Sequence, residues 1–320
     1  MKAIGYDEFG GPDVLHVVDL PDPDIVPGHV RVRVRAAAVS PTDTLRRAGI
    51  RARDLQPDEA LTTQGWPMVP GMEFAGIVEE IGPDTMTTLN VGDHVLGILR
   101  PNGTFGAYSE QVVVPAESVV RTPEGVDDVA ASTLPMNGLT AQMTLDKLEL
   151  APGDTIAVTG AAGTYGAYVV QLAKAAGLTV IADAAPKDRD LVKGFGADII
   201  VDRGDDVADR ILEAVPDGVD GLADGAVLNE LVLPAVRRGG RLATVRHWES
   251  EEPINGVDVV AVKVRYYFRE QDRLKRLRDL VEAGTLTLRV ADTLPAEQAA
   301  EAHRRLAAGG VRGRIVLTFD

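Results

Sequence analysis

The sequence predicts an α/β chain in two parts, a doubly wound parallel sheet joined to a smaller, partly closed β-barrel. Three observations carry that expectation. Short strand-like runs in the first 120 residues are punctuated by Pro and Gly at close intervals, as in small closed antiparallel sheets. From about Pro123 onward, apolar strands alternate with helical stretches, the rhythm of a parallel sheet covered on both faces. Within that second texture, the apolar run from Ile156 to Val158 feeds a turn with glycines at 160, 163 and 166, and a helix-period segment follows at once.

That order suits a dinucleotide pyrophosphate. The turn must be tight, the backbone must approach the phosphates closely, and a helix N-terminus must aim its free N–H groups at them. The spacing is Gly-x-x-Gly-x-x-Gly, with Ala162 between the first two glycines rather than the tighter Gly-x-Gly. Its place between strand and helix, with a further apolar run from Leu178 to Ala182, gives it weight. A glycine-rich connection in some other α/β protein is the plainer alternative.

In the first part, residues 30–35 read Val-Arg-Val-Arg-Val-Arg, the strict alternation of a half-buried strand with arginines on its wet face. Residues 76–81, 94–99 and 110–114 are further strand candidates, set apart by Pro27-Gly28, Pro70-Gly71, Gly82-Pro83, Gly92-Asp93 and Asn102-Gly103. Residues 50–65 are the least patterned stretch and read as a surface excursion. In the second part a strand at 155–158 precedes a helix at 165–176, a strand at 179–182 a helix at 188–195, and a strand at 199–201 a helix at 206–214. Residues 218–222, 228–236 and 241–245 continue the rhythm. An amphipathic helix over 270–283 ends at Gly284, and the tail reads as helix over 297–306 and strand over 313–319. That last strand is placed to rejoin the first part. The expected division is 1–123 with 264–320 for the barrel domain, and 124–263 for the parallel sheet.

Composition narrows the function. A chain of 320 residues exceeds the usual size of one core. Its formal charge of −15 argues against nucleic acid or an anionic membrane as partner. Basic clusters such as Arg31, Arg33 and Arg35, or Arg273, Lys275, Arg276 and Arg278, read as solvated faces interrupted by acids. There is no cysteine, which excludes disulfides, thiolate catalysis and cysteine-ligated zinc. Met1 to Asp7 hold no apolar core of signal-peptide length, and no window nears the roughly 18 apolar residues of a membrane span. A cytoplasmic protein is the expectation.

Several separate segments then carry a resemblance. Val69-Pro-Gly-Met-Glu-Phe-Ala-Gly-Ile-Val, Val91-Gly-Asp-His-Val, Thr104-Phe-Gly-Ala-Tyr-Ser-Glu, Asn137-Gly-Leu-Thr-Ala and Gln171-Leu-Ala-Lys take part. So do Arg238-Gly-Gly-Arg-Leu, Val281-Glu-Ala-Gly, Ala302-His-Arg-Arg-Leu and Gly313-Arg-Ile-Val-Leu. Together they resemble the medium-chain dehydrogenase/reductase superfamily, in particular its zinc-free quinone oxidoreductase (zeta-crystallin-like) branch, nearly end to end. The resemblance implies a GroES-like barrel domain and a Rossmann domain, with cofactor and substrate in the cleft between them.

The departures from zinc-dependent relatives matter equally. Ser40 stands where those carry a ligating Cys, and Met72 where they carry a ligating His. A hydroxyl and a thioether do not replace a thiolate and an imidazole on zinc. The five histidines, His16, His29, His94, His247 and His303, are scattered without ligand spacing. No metal site is expected. The resemblance implies a hydride passed from NAD(P)H to a quinone or a conjugated enone or enal, acceptors whose conjugation already delocalises the developing charge. The protein's part is to position two rings and exclude water.

The resemblance also implies residues. Gly160, Ala161, Ala162, Gly163, Thr164 and Tyr165 line the pyrophosphate turn, and Tyr165 replaces the small aliphatic residue usual there. Asn137 and Thr140 face the nicotinamide. Arg246, with Trp248, overhangs the cleft, and Arg314 joins the cofactor contacts. Ser40 and Asp43 map beside the substrate, with loop capping as the competing role for Asp43. Tyr266, Tyr267 and Phe268 either stack a flat acceptor or plug an interface. A tyrosine or water would supply the proton, and Tyr267, His247 and Ser40 are the candidate side chains. At the ribose, registration puts Ala184 in the position of the NAD-binding acid and Lys187 near a 2′-phosphate, favouring NADPH over NADH. A shift of one residue would give Asp183 that acid's role. A homodimer is expected by analogy. The alternatives are a dinucleotide sensor or crystallin-like protein with little turnover, and a zinc alcohol dehydrogenase, which would carry stoichiometric metal.

Overall fold

The computed structural model describes residues 1–50, 65–246 and 248–319. The expected excursion at 50–65 therefore falls almost wholly outside the described residues, as does His247. The chain packs as two units. One comprises Met1–Met136, Phe268–Glu282 and Leu288–Asp320, the other Asn137–Tyr267 and Ala283–Thr287. The sequence boundaries lay at 123/124 and 263/264; the packing divides the chain at 136/137 and 267/268.

The first unit opens with β1 (Lys2–Gly5) and β2 (His16–Asp19), an antiparallel pair. β3 (His29–Ala38) is the alternating run: Val30, Val32 and Val34 are buried, while Arg33 and Arg35 face water. After β3, Pro41 at the first helical position and a Ser40–Asp43 capping box start the short helix α1 (Pro41–Arg47). Then come β4 (Glu73–Ile81), β5 (His94–Ile98), β6 (Gln111–Pro115), β7 (Val119–Arg121) and the short helix α2 (Asp128–Ala131).

The helix α3 (Pro135–Leu148) leads into the second unit. There β8 (Thr155–Thr159), α4 (Thr164–Ala175), β9 (Thr179–Ala184), α5 (Arg189–Gly194), β10 (Ile199–Asp202), α6 (Val207–Ala214) and β11 (Val219–Asp224) alternate as expected. β12 (Val236–Thr244) and β13 (Asp258–Ala261) complete six parallel strands in the order β10-β9-β8-β11-β12-β13. The expectation for 228–236 resolves into a single short 3-10 helix, Asn229–Ala235, with Pro234 inside it. Proline lacks the N–H that a longer helix would need there. The strand order reverses between β8 and β11, which makes that junction the switch point of the sheet. Ala157, Ile181, Leu222 and Leu242 fill the core along it.

The chain then returns through α7 (Gln271–Glu282), β14 (Val290–Pro295), α8 (Ala299–Ala308) and β15 (Arg314–Thr318). β15 lies parallel to β14 and antiparallel to β3, pairing Val316 with Ala38. The last strand does rejoin the first unit. Its sheet runs β14-β15-β3-β4-β5-β7, with β6 also on β3, around a core of Val30, Phe74, Val95, Val114 and Leu317.

Candidate functional site

The glycine turn sits at the switch point, and each glycine has its own reason. Gly160 has φ 67°, and a Cβ there would lie 2.9 Å from the carbonyl carbon of Gly225 beyond β11. A Cβ on Gly166 would lie 2.4 Å from the Gly160 oxygen and 2.7 Å from Ala161 Cα, so helix α4 can run this close to the turn only without one. Gly163 is the N-cap of α4 and supplies no side-chain cap, leaving the first N–H groups of the helix free of one. Beside them the hydroxyl oxygen of Thr164, a residue only 8% exposed, has no hydrogen-bond partner. Ala161 is buried, and Ala162 is half-buried.

Beneath the turn lie two buried carboxylates. Asp183 Oδ1 accepts the N–H of Ala161 at 2.9 Å. Burial pushes the Asp183 carboxyl above its ordinary range, opposed by the N–H groups of Ala161 and Gly160 and by the charge of Arg203. Ala184, the next residue, is buried at the end of β9. Asp224 accepts from Thr159 Oγ1 and from the N–H of Asn229, each at 2.7 Å. The loop after β11 is held in strained backbone: Val227, a β-branched residue, has φ 61° and Asn229 has φ 52°. Lys187 and Arg203, following β9 and β10, are exposed.

On α3, Asn137, Thr140 and Thr144 recur at helical spacing. Asn137 and Thr140 are each 8% exposed, and the amide nitrogen of Asn137 has no partner. Thr144 Oγ1 stands 2.8 Å from the Tyr165 hydroxyl. Tyr267 lies on a different face of α3: its hydroxyl donates to Asp146 at 2.7 Å. It lines a groove of about 650 Å³ with Met143, Asp146, Arg241, Asp258 and Tyr266. Arg246 is exposed in the bend after β12. Trp248 was expected to overhang with it; instead its indole packs against the core holding Leu242 and Val259, and Thr244 donates to its carbonyl.

The first unit holds a second constellation. Ser40 and Asp43 are both fully buried. The Ser40 oxygen accepts the N–H of Thr42 at 3.2 Å, and Asp43 accepts N–H groups from Ser40 at 2.8 Å and Gly71 at 3.3 Å. Both side chains thus cap the loop that the sequence placed beside a substrate. Tyr108 donates to Asp43 Oδ2 at 3.3 Å and meets His303 Nε2 at 3.3 Å, while Arg47 reaches His303 Nδ1 at 3.3 Å. Since Arg47 only donates, Nδ1 accepts, Nε2 carries the proton, and the chain of donors runs Arg47, His303, Tyr108, Asp43. Burial, with Arg47 nearby, holds the His303 imidazole down at about 3, and burial pushes Asp43 up. Arg314 pairs with the buried Glu73, which also accepts the N–H of Met136 at 2.8 Å. Burial lifts the Glu73 carboxyl against the pull of Arg314.

Sequence reasoning left Glu73, Tyr108, His303 and Asp224 without roles. Glu73, Tyr108 and His303 lie within the segments that carry the resemblance; for Asp224 there is no local signal beyond its place at a strand end. Among the described residues no three or more His, Cys, Asp or Glu side chains cluster as a metal site. No described helix is long and apolar enough to cross a membrane.

Comparison with known proteins agrees with this layout. Residues 26–124 match the model of the alcohol dehydrogenase GroES-like domain, and residues 195–317 that of the zinc-binding dehydrogenase family. The chain is 32% identical to a 2-haloacrylate reductase of a Burkholderia species, over 96% of each chain. It is 31% identical to a quinone oxidoreductase of Pseudomonas aeruginosa, over 99% of each. A mycobacterial protein solved in complex with NADPH superposes with a TM-score of 0.85 at 27% identity, over 100% of both chains.

Proposed function

The chain belongs to the medium-chain dehydrogenase/reductase superfamily, and from that premise we propose that it is an NADPH-dependent reductase of quinones or conjugated enones that works without zinc. That it is an NAD(P)H-dependent oxidoreductase follows from its relatives. The observation that carries the finer reading is the uncapped N-terminus of α4 at the switch point, with the unpartnered Thr164 hydroxyl beside it. Free N–H groups, a helix dipole and an orphaned buried oxygen fit a pyrophosphate.

Gly160, Ala161, Ala162, Gly163 and Thr164 would hold the phosphates, and Asn137, whose amide nitrogen lacks a partner, would serve the nicotinamide with Thr140. At the ribose Ala184 offers no carboxylate, and Asp183 is already engaged by Ala161. Lys187, exposed after β9, would supply the cation that a 2′-phosphate needs. These features support NADPH over NADH. Bound reduced cofactor would supply a hydride to an electron-poor carbon of the acceptor.

In this reading water supplies the remaining proton. Ser40 is buried as a cap, and Tyr267 has its hydroxyl proton on Asp146. Ser40 and Met72 replace zinc-binding side chains, which suits acceptors that need no Lewis acid. A homodimer is part of the proposal, to be checked by sedimentation.

The test is a parallel titration of the purified protein with NADPH and NADH, followed by 1,4-benzoquinone and an alkyl enone. Tighter NADPH binding with acceptor-dependent oxidation supports the proposal. Binding of either cofactor without turnover of any acceptor would favour a sensor.

A further inference from the structure

The residue after Thr164 is a tyrosine, and its surroundings give the ring a fixed place. Tyr165 is half-buried on the first turn of α4. Its hydroxyl meets Thr144 Oγ1 at 2.8 Å, and Thr144 donates its own proton to the carbonyl of Thr140 at 2.9 Å. A threonine hydroxyl has one proton, so Tyr165 is the donor in the shared bond. The other edge of the ring abuts Gly225: a Cβ there would lie 2.9 Å from Tyr165 Cδ1 and 3.1 Å from Cε1. Helix α3, helix α4 and the end of β11 thus hold the ring from three sides.

The side of the sheet decides what that ring can serve. The switch point separates β8, β9 and β10 from β11, β12 and β13. A dinucleotide laid across it puts its adenosine on the first set, where the ribose position follows β9, and its other half on the second. Tyr165 touches backbone just past β11, so its ring stands with the second set. Burial raises its hydroxyl above the ordinary phenol range, and its proton is engaged by Thr144. What Tyr165 offers is a ring face.

Resting on the dinucleotide reading above, we propose that Tyr165, pinned by Thr144, is the surface on which the nicotinamide ring packs, and that it sets the balance between oxidised and reduced cofactor. An electron-rich ring face attracts the cationic nicotinamide of NADP⁺ more than the neutral ring of NADPH.

The experiment compares binding of NADP⁺, NADPH and 2′-phospho-ADP-ribose, which lacks the nicotinamide, by isothermal titration calorimetry. Tyr165→Leu is expected to weaken NADP⁺ by about three- to thirty-fold, NADPH less, and 2′-phospho-ADP-ribose less than twofold. The conservative Tyr165→Phe and Thr144→Val each remove the pin; both weaken NADP⁺ alone, and the double variant is no worse than either single one. Equal losses for all three ligands in Tyr165→Leu, or no loss for NADP⁺, would overturn the proposal. If the unaltered protein binds none of the three, the dinucleotide reading itself falls, and this proposal with it.

Discussion

Asp183 Oδ1 accepts the backbone N–H of Ala161 at 2.9 Å. The acid at the end of the second parallel strand therefore faces the glycine turn from beneath and braces it. Asp183→Ala leaves that buried N–H unsatisfied and should lower stability by about 1–3 kcal/mol; Asp183→Asn, which keeps an acceptor, should lose less. Chemical denaturation measures both. The ratio of NADPH to NADH affinity should stay unchanged in the Asn variant. A selective collapse of NADH binding would instead make Asp183 the ribose ligand.

Lys187 carries the cofactor preference in the proposed reading. Lys187→Ala should weaken NADPH by about 1.5–3 kcal/mol, the worth of a charge-assisted phosphate contact, and leave NADH untouched. Fluorescence titration with both cofactors reads this directly. Equal weakening of the two would remove the basis for preferring NADPH.

The two later glycines of the turn should fail differently. Gly163→Val places a branched side chain where phosphates must approach and should abolish binding of either cofactor while the protein stays folded. Gly166→Ala drives a methyl to within 2.4 Å of the Gly160 oxygen and should cost about 1–3 kcal/mol of stability. Thermal unfolding and cofactor titration, run on both variants, separate the effects. Normal binding by Gly163→Val would show that the phosphate turn has been misplaced.

His303 should make the protein acid-sensitive. Its imidazole is held down at about 3 in the fold, against an ordinary 6.5, so the unfolded chain takes up a proton that the folded one refuses. Stability contributed by the neutral ring is full above pH 6.5 and drains away as pH falls toward 3. By pH 5 the loss is about 2 kcal/mol. His303→Gln should lower stability at pH 7, where hydrogen bonds to Arg47 and Tyr108 are perturbed, yet flatten the decline between pH 7 and 5. An unchanged acid slope in that variant would assign the sensitivity to other groups.

The legible parts of this chain were those written in local pattern. Val30, Val32 and Val34 alternate with arginines, so β3 was visible, and the apolar runs at Ile156 and Val180 announced β8 and β9. The glycines at 160, 163 and 166 marked the turn because backbone close approach leaves only that residue type. What escaped depends on direction and distance. Asp183 and Ala184 are neighbours pointing opposite ways, and only the structure tells which one faces the turn. His303, Tyr108 and Asp43 lie far apart in sequence and converge in one buried network. Trp248 looked like a cleft residue because it follows a strand end, but an indole gains more by packing against the core that holds Leu242 and Val259 than by standing in water. For Tyr267 nothing local told that its hydroxyl would reach Asp146 on α3, 121 residues away.

The pairing of β15 with β3 sets a schedule for the ribosome. Residues 36–38 wait for residues 316–318 before that edge of the sheet is covered, a gap that translation crosses on the order of tens of seconds later. The second unit, by contrast, draws all but five of its residues from 137–267 and is nearly complete well before that strand emerges. The nascent chain thus carries a waiting, edge-exposed half and an almost finished one, and it is the waiting half that a holdase would have to shelter.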